Sequence, residues 1–475
     1  MTAFHTIAIP HDDILQGRLT MDVFAADLWE VFKGRGVDEY RKPELFFQKT
    51  YETEGLKTLL DVVGKRLAGK GGDPVLQIQT PFGGGKTHTL IAMYHKAAEW
   101  GAKRVVMVGT SMSAKDTLWG SLEEQLTGKR TNFKDLTSPG RTDEFRDMLA
   151  NAGPVMILMD EVLEYITKAS GVTVGESTLA DQTIAFMQEL TETVSTLDKV
   201  VLIITLPSSN MPNMNAKSQQ LLQNLQSVSG RMEKIYSPVQ EHEITKVIGL
   251  RLFSHIDKKK AGKVINQFVE YATRESLLPA GVEASEYRSR FEDSYPFLPE
   301  VVDILYQRWG SYFTFQRTRG ALRLLALVIY SLKENNLPYI TLSDFDLANQ
   351  EIRQELLKHI GMEFNGVIAA DITGPESGAT KINAVLGKAH QGLRLGERVT
   401  TAIFMYSFSG GVERGVTLSE IKRNATTLEN PSAIVSEAVE ELKGRLFYIQ
   451  SQAGKYFFTN HANLNHLLLV RMENI

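Results

Sequence analysis

The sequence predicts an α/β fold: a three-layer core with a parallel sheet that cradles nucleotide phosphates, then a helical lid, then a winged-helix-like C-terminal domain. Three observations carry this. Short runs rich in Val, Ile and Leu alternate with helical patterns after about residue 70; the first run leads into a triple glycine followed by Lys86-Thr87; and a later run ends on two adjacent carboxylates, Asp160-Glu161.

The elements follow in order. Leu19, Val23, Phe24, Leu28, Val31 and Phe32 recur at helical spacing, so Leu19 to Phe32 is expected to be a helix within an N-terminal extension, residues 1–70. In residues 71–240 the β-rich runs are Val75 to Thr80, Arg104 to Thr110, Val155 to Asp160, Val200 to Leu206 and Lys234 to Ser237, each separated from the next by enough chain for a crossover helix. Runs this apolar read as strands covered on both faces. Residues 241–360 turn helical, with Arg319 to Leu332 strongly apolar along one side, and form the lid. The densest basic run, Lys258, Lys259, Lys260 and Lys263, reads as a solvated helix end or loop. Residues 361–400, with Gly366, Gly374, Pro375 and Gly378, read as a linker. In residues 401–475 three helical segments (Thr401 to Phe408, Leu418 to Ala425, Ser432 to Leu442) precede a hairpin from Leu446 to Thr459 with Gly454 at its tip. The third helix carries Glu437, Glu440 and Glu441 against Lys443, which suits packing or protein docking better than contact with phosphates.

Composition bounds the function. A chain of 475 residues allows about three domains of ~150 residues each. With 43% hydrophobic and 23% charged residues it is an ordinary globular chain, and a net charge of −4 supplies no global field for nucleic acid, so any polyanion site is local. The absence of cysteine excludes disulfides, thiolate zinc sites, iron–sulfur clusters and thiol nucleophiles, and fits a reducing compartment. No basic segment followed by an apolar run opens the chain, and its apolar stretches fall well short of the ~20 residues that span a bilayer. A cytoplasmic protein without membrane association is expected.

The chemistry is concentrated in two motifs. Gln79-Thr80-Pro81-Phe82-Gly83-Gly84-Gly85-Lys86-Thr87-His88 follows a strand and opens a helix, the setting a phosphate-binding loop requires. Consecutive glycines let backbone N–H groups turn around an anion, and the helix adds the positive end of its dipole. The set assigned to nucleotide is Gly83, Gly84, Gly85, Lys86, Thr87, His88 and Asp160, with Lys86 on the β- and γ-phosphates of ATP and the Thr87 hydroxyl on Mg²⁺. The motif's usual first glycine is Thr80 here. The strand Val155 to Asp160 brings Asp160 and Glu161 to the same sheet edge, where Asp160 would complete the Mg²⁺ shell and Glu161 would orient the attacking water. Such a carboxylate pair can also serve as a helix N-cap. On the fourth strand Thr205, or Ser208 after it, could meet the γ-phosphate or the water; Thr is also common in strands for its shape alone. Arg231 is placed to stabilise transition-state charge on a neighbouring subunit's nucleotide, and Arg323, with Arg317 and Arg319 as competitors, to do so within its own chain.

This order of motifs resembles the AAA+ P-loop ATPases, and Ser229-Gly230-Arg231 leading into Pro238 and Arg251-Leu252, with the C-terminal unit, resembles their origin-recognition-like type. More closely, Phe46-Phe47 with Thr50-Tyr51-Glu52-Thr53, Pro81 to Leu90, Thr117-Leu118-Trp119-Gly120 and Phe315-Gln316-Arg317-Thr318-Arg319-Gly320-Ala321-Leu322-Arg323 resemble a poorly characterised ATP-binding family of prokaryotic anti-phage defence islands, whose members often lie beside DNA methyltransferases. The resemblance implies an ATP- and Mg²⁺-dependent ATPase, an oligomeric motor or remodeller acting against foreign DNA, or else a slow nucleotide-gated switch that assembles a defence complex. It implies as partners other copies of the chain, DNA and a protein such as a methyltransferase. Many members of that family are longer, and a chain ending at Arg471-Met472-Glu473-Asn474-Ile475 reads as a short or a truncated one.

Overall fold

The computed structural model describes residues 2–80, 84–207, 216–229, 234–386, 391–411 and 414–463. The chain divides into two compact units, one of Ala25–Ile244 and the other of Met1–Phe24 with Thr245–Ile475.

The first unit is built on five strands: β1 (Val75–Thr80), β2 (Lys103–Val108), β3 (Val155–Asp160), β4 (Val200–Pro207) and β5 (Lys234–Tyr236). All pair in parallel, in the order β2-β3-β4-β1-β5. Alternate side chains of β3 enter two separate cores. Val155, Ile157 and Met159 pack with Phe186, Met187 and Leu190 of the helix Leu179–Ser195, while Met156 and Leu158 pack with Leu90 and Met93 of the helix Lys86–Lys96 and Leu59 and Val63 of the helix Glu54–Leu67. Burial on both faces is why these runs show no polar alternation. This is the three-layer α/β core with a parallel sheet that the motifs predict. Because the strands are parallel, Thr80, Asp160 and Pro207 end on one edge, and β4, with Thr205, lies between β1 and β3.

In the second unit Ala8–Pro10 pairs antiparallel with Phe253–Ile256, so the N-terminal extension is shared: residues 1–24 here, 25–70 with the first unit. The continuous helix expected over Leu19 to Phe32 is broken. A 3₁₀ turn at Met21–Phe24 is followed by a separate helix Leu28–Phe32, started by Asp27, whose carboxylate accepts the Glu30 N–H at 3.0 Å. Lys258, Lys259 and Lys260 form the exposed first turn of the helix Lys258–Arg274, capped by Asp257. The stretch read as a linker is packed instead. It contains Phe364–Val367, Ile368–Thr373 and Gly378–Val385, with Ile368, Ile372 and Ile382 buried. Two of its glycines serve close approach: a Cβ on Gly374 would lie 2.4 Å from the Ala369 carbonyl oxygen, and one on Gly378 would lie 2.5 Å from the Leu446 side chain. The C-terminal segment has the helices Leu395–Tyr406, Leu418–Ala425 and Ala433–Lys443 and the hairpin Ile449–Gln452 with Lys455–Phe458. A two-residue strand, Val416–Thr417, joins the hairpin, too short to leave a sequence pattern. Glu437, Glu440 and Glu441 are exposed on the third helix. Among the described residues no helix is long and apolar enough to cross a membrane.

One buried cation ties the layers of the first unit together. The Arg66 guanidinium donates to the carbonyls of Val200 (3.1 Å) and Val194 (3.0 Å) and also to that of Leu197, tying the end of Leu179–Ser195 to the start of β4. Arg66→Met leaves three carbonyls short of a donor in a dry place and is expected to cost this unit about 2–4 kcal/mol, read as a lower urea midpoint by circular dichroism; an unchanged midpoint contradicts that account.

Candidate nucleotide-binding site

At the end of β1 the chain turns through Gly84 and Gly85 into the helix Lys86–Lys96; Pro81, Phe82 and Gly83 lie outside the described residues. Gly85 has φ 82°, a left-handed conformation that glycine adopts without strain, and this turn aims the helix N-terminus along the sheet edge. Lys86 opens the helix, and its ammonium donates to the Thr80 carbonyl at 3.3 Å. Burial pushes its pKa down, while Asp160 and Glu161 push it up. A lysine held between desolvation and two carboxylates is poised for an anionic ligand.

The centre of the site is Asp160, 2% exposed. One carboxylate oxygen accepts the Thr87 hydroxyl at 2.7 Å, and the other accepts the Thr205 hydroxyl. Burial raises the Asp160 pKa against the lowering effect of those two hydroxyls and of Lys86; Glu161 adds to the rise. The Thr205 oxygen also accepts the Glu161 backbone N–H at 3.3 Å. Thr205 is therefore occupied in orienting both acidic residues. Thr87 and Asp160 supply one hydroxyl and one carboxylate side by side, a donor set that suits Mg²⁺, which prefers few protein oxygens alongside phosphate oxygens and water. The buried carboxylate, raised in pKa by burial, is the group a divalent cation would relieve, so the residues present fit the metal.

Glu161 is exposed and sits at φ 54°, ψ 33°, a left-handed conformation that costs a non-glycine residue about 1–2 kcal/mol. It occupies the N-cap position of the helix Val162–Ala169 but makes no side-chain cap bond, so the alternative reading of the pair as a plain cap is not its geometry. Its Oε2 instead accepts the Thr110 hydroxyl at 2.7 Å. Gly109 makes this possible: a Cβ there would lie 1.9 Å from the Glu161 carbonyl oxygen. Neither Gly109 nor Thr110 was singled out by sequence. The available signal was a Gly-Thr pair at the end of the run expected as a strand from Arg104 to Thr110; the strand itself stops at Val108 and the pair opens a 3₁₀ turn, Gly109–Ser111.

The other candidates are placed as follows. His88 contacts Thr50, Nε2 to Oγ1 at 3.0 Å, and its ring lies against Phe46 with centroids 4.5 Å apart, so it helps to dock the segment containing Phe46-Phe47 and Thr50 onto the phosphate-loop helix. Ser208 and Arg231 lie outside the described residues. Arg323, in the second unit, is ion-paired with buried Glu355 and reaches the Leu19 carbonyl at 3.4 Å. Arg319 bonds Gln316 at 2.9 Å, and Arg317 lies over the Tyr306 ring.

Comparison with known proteins identifies the family. The model of the DUF499 N-terminal domain matches residues 5–116 and 107–244, and that of the DUF499 second domain matches residues 239–458. The chain belongs to the DUF499 family. No curated protein matches it. Among solved structures it is similar to the Aeropyrum pernix ORC1 protein in complex with DNA (15% identity, 88% of this chain and 91% of that one, TM-score 0.33). It is also similar to CDC6P from Pyrobaculum aerophilum (12%, 92% and 97%, 0.37) and to AMPPCP-bound DnaA from Aquifex aeolicus (13%, 86% and 92%, 0.29). Scores this low carry no ligand or activity across.

The raised Asp160 pKa gives a signed prediction. Folding is penalised wherever the buried group is forced to ionise, a cost that appears as pH rises above the unfolded carboxyl value and is present at neutral pH. Asp160→Asn removes it and is expected to raise the melting temperature of the ligand-free protein, while abolishing the Mg²⁺-dependent part of the shift produced by ATP. A lower melting temperature, or an intact Mg²⁺ dependence, contradicts the assignment.

Proposed function

We propose that this protein binds ATP with Mg²⁺ and hydrolyses it to ADP and phosphate. The observation that carries the reading is the single hydrogen-bonded group of Thr87, Asp160, Thr205 and the Glu161 backbone, gathered with Lys86 at one sheet edge from the helix after β1 and from the neighbouring strands β3 and β4. Lys86 and the backbone of the glycine turn would hold the phosphates, and Thr87 with Asp160 would hold the metal. Magnesium, when bound, neutralises charge on the phosphate oxygens. With Oε2 engaged by Thr110, Glu161 has its other carboxylate oxygen to orient a water in line with the γ-phosphorus. The water oxygen bonds to phosphorus as the bridging P–O bond breaks and ADP departs with that electron pair, while the proton the water loses passes by way of the Glu161 carboxylate to the product phosphate. The left-handed backbone of Glu161 supports this reading over simple nucleotide storage, because strain kept at an exposed carboxylate fits a positioned catalytic group.

The finer reading is an oligomeric motor or remodeller in defence against foreign DNA, with Arg231 acting on a neighbouring subunit's nucleotide and Arg323 on its own. Family resemblance supports it. The exposed lysines 258, 259, 260 and 263 are the surface that DNA phosphates would meet. Steady-state hydrolysis tests both levels. Glu161→Gln is expected to lower turnover at least about 100-fold while keeping the ATP-induced melting shift, and Lys86→Ala to lose the shift itself; a retained shift in Lys86→Ala removes the phosphate-loop assignment. Duplex DNA is expected to stimulate the wild type. Turnover indifferent to DNA replaces the motor with the nucleotide-gated switch.

A further inference from the structure

The helix that begins at Glu161 carries a second polar contact to the same loop. Lys168 lies seven residues on, about two turns and therefore on the same face. Its ammonium donates to three carbonyls of one short loop: Gly109 at 3.0 Å, Thr110 at 2.9 Å and Met112 at 3.2 Å. Between the two, Tyr165 donates its hydroxyl to the Asp116 carbonyl, and its backbone nitrogen would be 3.0 Å from a Cβ on Gly109. Positions 161, 165 and 168, one stripe of the helix, are thus all spent on residues 109–116. Among the described residues, the loop reaches the site through the Thr110 hydroxyl on Glu161.

We propose that Lys168 is a positioning residue for hydrolysis: by clasping the carbonyls of the loop it fixes the Thr110 hydroxyl, and through it the orientation of the Glu161 carboxylate. The inference rests on the ATPase reading above. The clasp is well suited to the task. An ammonium offers three donors in three directions, so it can satisfy three carbonyls that no neutral side chain of this length could serve together. It also lies in the last turn of its helix, where the macrodipole favours a cation. Thr110 itself is held at both its atoms, its carbonyl by Lys168 and its hydroxyl by Glu161, so the loop cannot shift without moving one bond or the other.

The test is a kinetic cycle on the full chain. Lys168→Met is expected to lower kcat about tenfold, less than the ~100-fold that a full ångström of misplacement can cost, with the KM for ATP and the ATP-induced melting shift within about twofold of wild type. Lys168→Arg, which can still donate to several carbonyls, is expected to stay within about threefold in kcat. In a Thr110→Val background, Lys168→Met is expected to add nothing further, because the path through Thr110 is already cut. An unchanged or increased kcat in Lys168→Met overturns the proposal, as do multiplied losses in the double variant, or losses in KM and melting temperature that match the loss in kcat. Wild-type protein that binds ATP without hydrolysing it overturns the ATPase reading and this inference together, whereas active wild type with an indifferent Lys168→Met overturns only the inference.

Discussion

The arrangement depends on one carboxylate that physical chemistry would rather not bury. Asp160 ends a strand covered on both faces, and burial raises its pKa against the charge of Lys86 and two hydroxyls that reach it from different elements, Thr87 from the helix after β1 and Thr205 from β4. A buried acid with incomplete partners is costly. That cost makes the site receptive, since a divalent cation and the nearby Lys86 supply the missing positive charge once phosphates are present. The same acid fixes sheet order in functional terms. β4 lies between β1 and β3, and its Thr205 donates its hydroxyl to Asp160 while accepting the following backbone N–H.

From this centre the Glu161 carboxylate is built outwards. The chain leaves β3 through a left-handed Glu161, tolerated because Gly109 lets the neighbouring loop come into van der Waals reach of its carbonyl, and because Thr110 receives its side chain. Asp160 faces inward to Thr87 and Thr205 and Glu161 outward to solvent, although the two are adjacent. A local backbone reversal separates two identical chemical groups into two roles, and Lys168 and Tyr165 hold the loop on which that separation rests.

Much of this was legible in the sequence, and for a clear reason. Fully buried parallel strands leave continuous apolar runs, and a glycine-rich turn followed by Lys-Thr is nearly unambiguous, so β1 and β3 begin and end at the residues predicted and the core lies where it was expected. What could not be read is what depends on strand neighbours. Thr110 belongs to the site because β2 pairs with β3, and pairing order is not written in any one run. Glycine content misled in the opposite direction. Gly374 and Gly378 looked like linker residues, yet they allow backbone and Leu446 to approach, so flexibility and tight packing share one local signature. The N-terminal segment likewise has one composition but two destinations, because the strand Ala8–Pro10 finds its partner some 245 residues away, at Phe253–Ile256.

The central claim is that Thr87 and Asp160 jointly hold a magnesium ion beside nucleotide phosphates. The most direct measurement is a crystal structure with Mg²⁺ and a non-hydrolysable ATP analogue. The account predicts the Thr87 hydroxyl turned from Asp160 to the metal at about 2.1 Å, with Asp160 on the same ion directly or through one bound water. A nucleotide bound with the Thr87 to Asp160 hydrogen bond unchanged and the metal elsewhere would contradict it.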